Sequence, residues 1–107
     1  MPGMIAVTQT TQGSVENVDL LSAGSVESGF VQADVAYYAF AGKGRFAKTG
    51  PVTQLRAIAN LYPESIHLVA RADSGIKSVA DLKGKKVSLG EPGSGTLVDA
   101  KLILEAY

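Results

Sequence analysis

A glycine-rich loop between a predicted strand and a predicted helix carries the strongest chemical signal in this sequence. The loop runs Gly90-Glu91-Pro92-Gly93-Ser94-Gly95-Thr96. Glycines let backbone N–H groups approach a ligand, and the start of a helix adds partial positive charge. With the hydroxyls of Ser94 and Thr96, such a loop suits one carboxylate, phosphate or sulfonate group. It matches neither a Walker A loop nor the G-x-G-x-x-G pattern, and a plain helix N-cap is the alternative interpretation.

A second loop with the same ingredients, Thr10-Thr11-Gln12-Gly13-Ser14, precedes an earlier predicted helix. Alone it favours a simple cap. Two such helix starts favour a shared ligand, because ligands of open α/β sheets lie beyond the carboxyl ends of the strands. Gln32 and Asp34 flank the end of another predicted strand and would point toward the same edge, although helix capping is the favoured role for Asp34. Tyr62 could offer a ring wall or a phenol hydrogen bond, with ordinary packing as its alternative.

The sequence offers no recognisable catalytic set. Its 107 residues include no cysteine and one histidine, which excludes thiolate zinc sites, a cysteine nucleophile and a histidine-based metal site. His67 lies between Ile66 and Leu68 in a predicted strand, where a structural role is favoured over a catalytic one. Ten basic and ten acidic side chains cancel, which argues against nucleic-acid binding. We therefore expect a protein that is not an enzyme and that uses no metal or cofactor.

Strands and helices alternate along the chain in the order that would position these loops. Runs with the composition or alternation of strands are residues 4–8, 29–33, 55–62, 66–71 and 85–90. The first predicted helix is Ser14–Ala23, which Ser14 would cap, and the second runs from its cap Asp34 to about Ala41. A single helical turn with a capping box is predicted at 78–81, and a last helix at 94–107. Gly24 and Gly42 follow the first two helices, and 42–54 is predicted to be a solvated loop. The alternation predicts an α/β fold with largely parallel strand pairing.

The two ends of the sequence suggest a piece of a longer protein. The start lacks the basic region and the apolar stretch of a secretory signal, and no run of about 18 apolar residues would span a membrane. The last predicted helix stops at Tyr107 without a glycine cap or a proline, so we interpret the chain as a fragment. The strand–helix unit at its end would then expose apolar surface. We expect this fragment to self-associate, with the segment from Val87 to Tyr107 docking on or swapping into a neighbouring copy.

An ordered series of motifs over nearly the whole chain resembles the TAXI family of solute-binding proteins, the extracytoplasmic receptors of TRAP transporters. The series comprises Gly13-Ser14-Val15-Glu16-Asn17, Phe30-Val31-Gln32-Ala33-Asp34-Val35-Ala36-Tyr37, Leu61-Tyr62-Pro63-Glu64, Ile76-Lys77-Ser78-Val79-Ala80-Asp81-Leu82-Lys83-Gly84-Lys85-Lys86-Val87 and Pro92-Gly93-Ser94-Gly95-Thr96. The segment around Asp81 is generic to many periplasmic binding proteins. The Gln-Ala-Asp and Leu-Tyr-Pro-Glu segments are more specific.

The resemblance implies a two-lobed, type 2 periplasmic-binding-protein fold that closes on a small ligand. Residues 1–72 would be a partial lobe one, 73–76 the crossing between lobes, and 77–107 the first strand–helix unit of lobe two. The ligand-binding residues implied by position are Gly13, Ser14, Gln32 and Tyr62 from one lobe, and Ser94, Gly95 and Thr96 from the other.

The resemblance also implies a function in transport. The ligand would be a small carboxylate such as glutamate, glutamine or a dicarboxylate. It would be captured in the periplasm or another extracytoplasmic space and passed to TRAP membrane permease subunits. The alternative is an effector-sensing ligand-binding domain of a bacterial regulator or signalling protein, since the same fold serves such regulators.

Overall fold

Helices supply all the regular secondary structure of residues 3–107, the part of the chain that the computed structural model describes. The three α-helices are α1 (Ser14–Ser22), α2 (Ala33–Ala41) and α3 (Gly95–Ala106), and single 3-10 turns cover Gly44–Ala47 and Val79–Leu82. Met1 and Pro2, the first residues of the predicted lobe one, lie outside the described residues.

Helix α1 confirms the prediction for this segment within one residue, but its cap differs. Val15 and Val18 form the buried stripe, as their spacing predicts. The N-cap is Gly13 rather than Ser14, and the hydroxyl of Ser14 accepts a hydrogen bond from the backbone N–H of Gln32 at 3.0 Å. Ser14 is therefore not the cap, because its side chain is used for tertiary contact. Gly24 follows the helix with a φ of 70°, as predicted.

Helix α2 begins one residue earlier than its predicted cap. Gln32 is the N-cap, and Asp34 lies inside the first turn, so the capping role predicted for Asp34 is wrong. A carboxylate at this position still interacts favourably with the positive end of the helix. Gly42 closes the helix as predicted, in the left-handed conformation with φ 64° and ψ 41°.

The segment 42–54 contributes two residues to the core, which corrects the prediction of a solvated loop. The 3-10 turn Gly44–Ala47 buries Phe46, which is 4% exposed, and Val52 is buried close by. The N–H of Val52 donates to the carbonyl of Ala39 at 2.8 Å. The core cluster that results consists of Val15, Val18, Val35, Ala39, Phe46 and Val52.

None of the predicted strands is confirmed within residues 3–107. The runs 4–8, 29–33, 55–62, 66–71 and 85–90 take part in no β-ladder there, so the α/β architecture remains a prediction. Side-chain alternation indicates which face a strand would present, but a strand exists only with a neighbouring backbone to pair with. Apolar residues of these runs, such as Ile5, Val7 and Ile58, are instead largely exposed.

The C-terminal third confirms two predicted helix starts. Asp81 accepts hydrogen bonds from the backbone N–H and the hydroxyl of Ser78, at 2.9 and 3.0 Å, and completes the capping box of the turn Val79–Leu82. Ser94 caps α3 by accepting from the N–H of Leu97 at 3.1 Å. Val98 of α3 packs against the core cluster. The division into lobes at 73–76 stays a prediction.

No helix in the described part of the chain is long and apolar enough to cross a membrane.

Candidate functional site

The starts of α1 and α3 meet through the carbonyl oxygen of Gly93. This oxygen accepts hydrogen bonds from the backbone N–H groups of Val15 at 2.9 Å and of Glu16 at 3.1 Å. The first N–H groups of a helix have no partner within the helix, so the α3 loop supplies the acceptor that α1 needs. The loops that precede α1 and α3 therefore lie against each other, although they are far apart in the sequence.

Two glycines make this close approach possible. Gly13 has φ 129° and ψ −154°, a region of backbone conformation that is essentially restricted to glycine. A Cβ on Gly13 would lie 3.2 Å from the Cα of Ser94. Gly93 has φ 88°, and a Cβ there would lie 3.3 Å from the Cβ of Gln12. Side chains at either position would push the two loops apart.

Gln32 connects all three α-helices. Its backbone N–H donates to Ser14 of α1, and its side-chain Nε2 donates to Oδ2 of Asp99 in α3 at 3.3 Å. Its Oε1 is fully buried without a hydrogen-bond partner in the described structure. That oxygen lies against Gly95, where a Cβ would overlap it. A side chain larger than hydrogen at position 95 would therefore displace the amide of Gln32.

Asp34 and Asp99 bring two carboxyl groups together where α2 faces α3. Burial is the main cause that raises the pKa of Asp99 to about 6, and the hydrogen bond and negative charge of Asp34 raise it further. The amide of Gln32 opposes this rise by donating to the carboxylate. Oδ2 of Asp34 is buried and lacks a partner in the described structure. An O–H on Asp99 is the donor that would satisfy it.

A cavity of about 840 Å³ opens beside this carboxyl pair. Its volume is within the range of small-ligand sites, about 300–1,000 Å³. Apolar residues of 66–68, 87–89 and α3 form a large part of its wall. The polar side chains that line it include Gln32, Asp34, Glu64, His67, Thr96 and Asp99.

A model of the NMT1-like family matches residues 2–107. The chain belongs to the NMT1-like family. This family is periplasmic-binding-protein-like, which supports a fold of that kind and points to a substrate-binding receptor. The coarse part of the resemblance found in the sequence is thereby confirmed: the chain is a member of a solute-binding protein family.

The structure of this NMT1-like protein gathers most of the residues that the resemblance implied. Gly13, Ser14, Gln32, Ser94 and Gly95 lie together where α1, α2 and α3 begin. Thr96 lines the adjacent cavity. Tyr62 stands apart from this cluster, 69% exposed and outside the cavity wall. Their role in binding a ligand stays a prediction.

Some hydroxyls of the NMT1-like chain are already engaged. The Ser94 hydroxyl accepts from Leu97 and donates to the carbonyl of Glu91 at 2.7 Å, which is the geometry of the plain N-cap interpretation. The Ser14 hydroxyl accepts from Gln32. Of the three hydroxyls that the resemblance implied, that of Thr96 belongs to a residue of the cavity wall, whereas Ser14 and Ser94 lie outside it.

Sequence reasoning missed Asp99 and the Gly93 carbonyl. Asp99 follows Thr96 by three positions, so both lie on one face of α3. That spacing was the available signal for Asp99. The role of the Gly93 carbonyl cannot be predicted from residue type, because every residue has a backbone carbonyl. The glycines of the loop indicated only that another group could approach the backbone closely.

Across residues 3–107 no group of three or more acidic, histidine or cysteine side chains is arranged to hold a metal ion.

Proposed function

We propose that this NMT1-like chain is part of an extracytoplasmic receptor of the TAXI type that captures a small carboxylate for a TRAP transporter. The family points to a substrate-binding receptor. The ordered motifs from Gly13 to Thr96 support the more specific assignment. The observation that carries the proposal is the meeting of two helix starts that contain glycine and hydroxyl residues, beside a cavity of ligand size.

The start of α1 is built to bind an oxygen acceptor. Two of its N–H groups converge on one oxygen, that of Gly93, with the partial positive charge of the helix behind them. In the proposed receptor, a carboxylate oxygen of the ligand takes the place of this carbonyl when the α3 loop moves aside. The carbonyl then acts as an internal substitute that keeps the two N–H groups satisfied while no ligand is bound.

The start of α3 offers further donors to the same ligand. The N–H groups of Gly95 and Thr96 belong to the first turn, where a helix supplies no acceptor of its own. The Thr96 hydroxyl adds a donor at the cavity wall. A carboxylate between the two helix starts would receive charge-assisted hydrogen bonds, which are about twice as strong as neutral ones.

The acidic side of the cavity favours an amino acid over a dicarboxylate. Asp34, Glu64 and Asp99 all line the cavity, and they would repel a second carboxylate while attracting an ammonium group. Among the proposed ligands, glutamine presents one carboxylate and one ammonium group and suits this wall best. Glutamate carries an extra negative charge, and a dicarboxylate lacks the ammonium group.

The proposed role requires no catalysis and no cofactor. The receptor would release its ligand to membrane permease subunits at the outer face of the membrane. Association with such subunits and an extracytoplasmic location are parts of the same proposal.

Calorimetric titration with glutamine, glutamate and succinate tests ligand capture. Thr96→Val should weaken binding by about 1.5–3 kcal/mol, because a hydrogen bond to a charged group is lost. This corresponds to a loss of affinity of roughly tenfold or more. Thr53→Val is the matched control, since Thr53 is exposed and lies outside the cavity wall. Absence of binding by all three ligands, or equal affinity of Thr96→Val and the unchanged chain, would contradict the proposal.

A further inference from the structure

The start of α2 and the middle of α3 contribute two carboxyl groups, Asp34 and Asp99, that one proton can bridge. Asp34 in the first turn of α2 and Asp99 in α3 line the same cavity, and the side-chain amide of Gln32, the N-cap of α2, donates to Asp99 at 3.3 Å. With both groups ionised, two negative charges face each other and Oδ2 of Asp34 stays buried without a donor. With one proton between them, the repulsion is removed and the buried oxygen gains its partner.

We propose that the Asp34–Asp99 pair is a pH-sensitive latch. When the pair carries a proton, it holds α3 against α1 and α2. When the pair loses this proton, the start of α3 becomes less firmly held. The latch goes beyond the proposed function because it needs no ligand to operate, although Asp34 and Asp99 also line the proposed binding cavity. It acts on the same helix starts, because the α3 start carries the carbonyl of Gly93 that α1 binds.

The charged surroundings of Asp99 support protonation. Asp34 faces it from α2, and Glu64 adds negative charge from the segment that follows Pro63. His67 lines the same cavity. Among the described residues of the cavity wall, α1 and the segment 87–90 contribute no charged side chain. Acidic side chains thus outnumber basic ones around Asp99, and a proton on the Asp34–Asp99 pair reduces this excess of negative charge.

Gln32 places the latch at the junction of the helices. Its amide donates to Asp99 while its backbone is bonded to Ser14. A movement of Asp99 away from Asp34 would therefore pull on the residue that joins α1 to α2. The side chain of Gln32 would therefore couple loss of the proton to displacement of the start of α3.

The direction of the pH effect follows from the raised pKa of Asp99. A carboxyl whose pKa is higher in the docked state than in the open state binds more protons when docked. The docked state is then favoured fully below about pH 4, the ordinary value, and loses this advantage as pH rises through about 6. Asp99 is partly exposed, so solvent screening reduces the size of the effect.

Hydrogen exchange of two backbone amides reports the latch directly. The N–H groups of Val15 and Glu16 are protected only while Gly93 accepts from them. We expect their protection factors, corrected for intrinsic exchange, to fall about tenfold between roughly pH 4.5 and 7.5. A carboxyl ¹³C titration of the same unaltered chain should place the transition of Asp99 near the middle of that interval.

Three variants separate the latch from other titrations. Asp99→Asn keeps a permanent donor opposite Asp34, so we expect high and pH-independent protection of both amides. Asp34→Asn removes the facing charge, and the pKa of Asp99 should move back toward the ordinary value. His67→Asn is the control, and it should retain the pH dependence of the unchanged chain. Protection that is equal at both pH values, or a pH dependence that persists in Asp99→Asn or disappears in His67→Asn, would overturn the proposal.

Discussion

Gly13 and Ser94 meet backbone against backbone: a Cβ on Gly13 would lie 3.2 Å from the Cα of Ser94. This contact joins the start of α1 to the start of α3 and leaves no room for a side chain. The backbone conformation of Gly13 adds a second restriction, because its φ of 129° is rare for any residue with a Cβ. The junction of the two loops therefore depends on glycine at position 13.

Gly13→Ala should destabilise the chain more than the same change at Gly24. Both positions have positive φ, but nothing lies within 4 Å of a Cβ on Gly24. Gly24→Ala then carries only backbone strain of about 1–2 kcal/mol, whereas Gly13→Ala adds the displacement of Ser94. Urea denaturation of both variants measures the difference. Equal losses of unfolding free energy would show that the contact with Ser94 contributes nothing.

Phe46→Ala should remove a large part of the stability. Phe46 is almost completely buried among the core valines, and truncation of a buried phenylalanine costs about 3–5 kcal/mol. Phe40→Ala is the matched control, because Phe40 is 50% exposed and should cost much less. Thermal unfolding of the two variants compares them. A similar melting temperature for both would mean that the turn Gly44–Ala47 does not hold the core.

The capping box at Ser78 should be weakened by acid. The N–H of Lys77, followed by the hydroxyl and N–H of Ser78, holds the pKa of Asp81 below its ordinary value. A lowered pKa means that the stabilising contribution is present above the ordinary value and is lost as pH falls through the folded one. Ser78→Ala should raise the pKa of Asp81 in a carboxyl ¹³C titration.

The control for this titration is Ser74→Ala, which alters a neighbouring turn where Ser74 donates to the carbonyl of Arg71. It should leave the titration of Asp81 unchanged. If Ser78→Ala also had no effect, the hydroxyl would not contribute to the capping box in solution.

The chain should self-associate at micromolar concentration. Its Cα radius of gyration is 16.7 Å, larger than the value of about 13 Å typical of a compact chain of this length. Exposed apolar side chains extend beyond the predicted segment 87–107, and Ile58 and Val69 are more than 80% exposed. Large apolar side chains that are exposed to water in this number favour association.

Sedimentation velocity of the unchanged chain and of Ile58→Lys/Val69→Lys tests this expectation. The double variant should be less associated if residues 55–70 carry the contact. Thr53→Lys/Gln54→Lys, at two exposed positions, is the charge-matched control. Leu102→Lys reports separately on the predicted segment 87–107. A monomer at all concentrations would contradict the prediction.

Local signals in the sequence located the three α-helices to within about one residue at each end, although two of their caps were assigned wrongly. The valine spacing of α1, Gly42 after α2 and the Ser78 capping box each act over a few neighbouring residues, and each is confirmed. Phe46 was missed because the glycines and basic residues around it resemble a solvated loop. Phe46 is buried in a core cluster that includes Val15 and Val18, which are remote from it in sequence.

The candidate site also shows that local sequence signals do not reveal contacts between distant residues. Gly13 and Ser94 could be selected because their loops have recognisable composition. Asp99 gained its significance only from Asp34 and Gln32, which reside on another helix. Strands fail for a similar reason: alternation in residues 55–62 is a local property, whereas pairing requires a partner that the pattern does not specify.

The hydrogen bond from Gln32 to Asp99 spans 67 positions of sequence. Between these residues, the described regular structure downstream of α2 and before α3 consists of two single turns. Closing so long a flexible loop costs chain entropy that the local contacts of α1, α2 and Phe46 do not require. We expect α1 and α2 to fold first and α3 to dock last. The docking of α3 would then also be the first contact to open in native-state fluctuations.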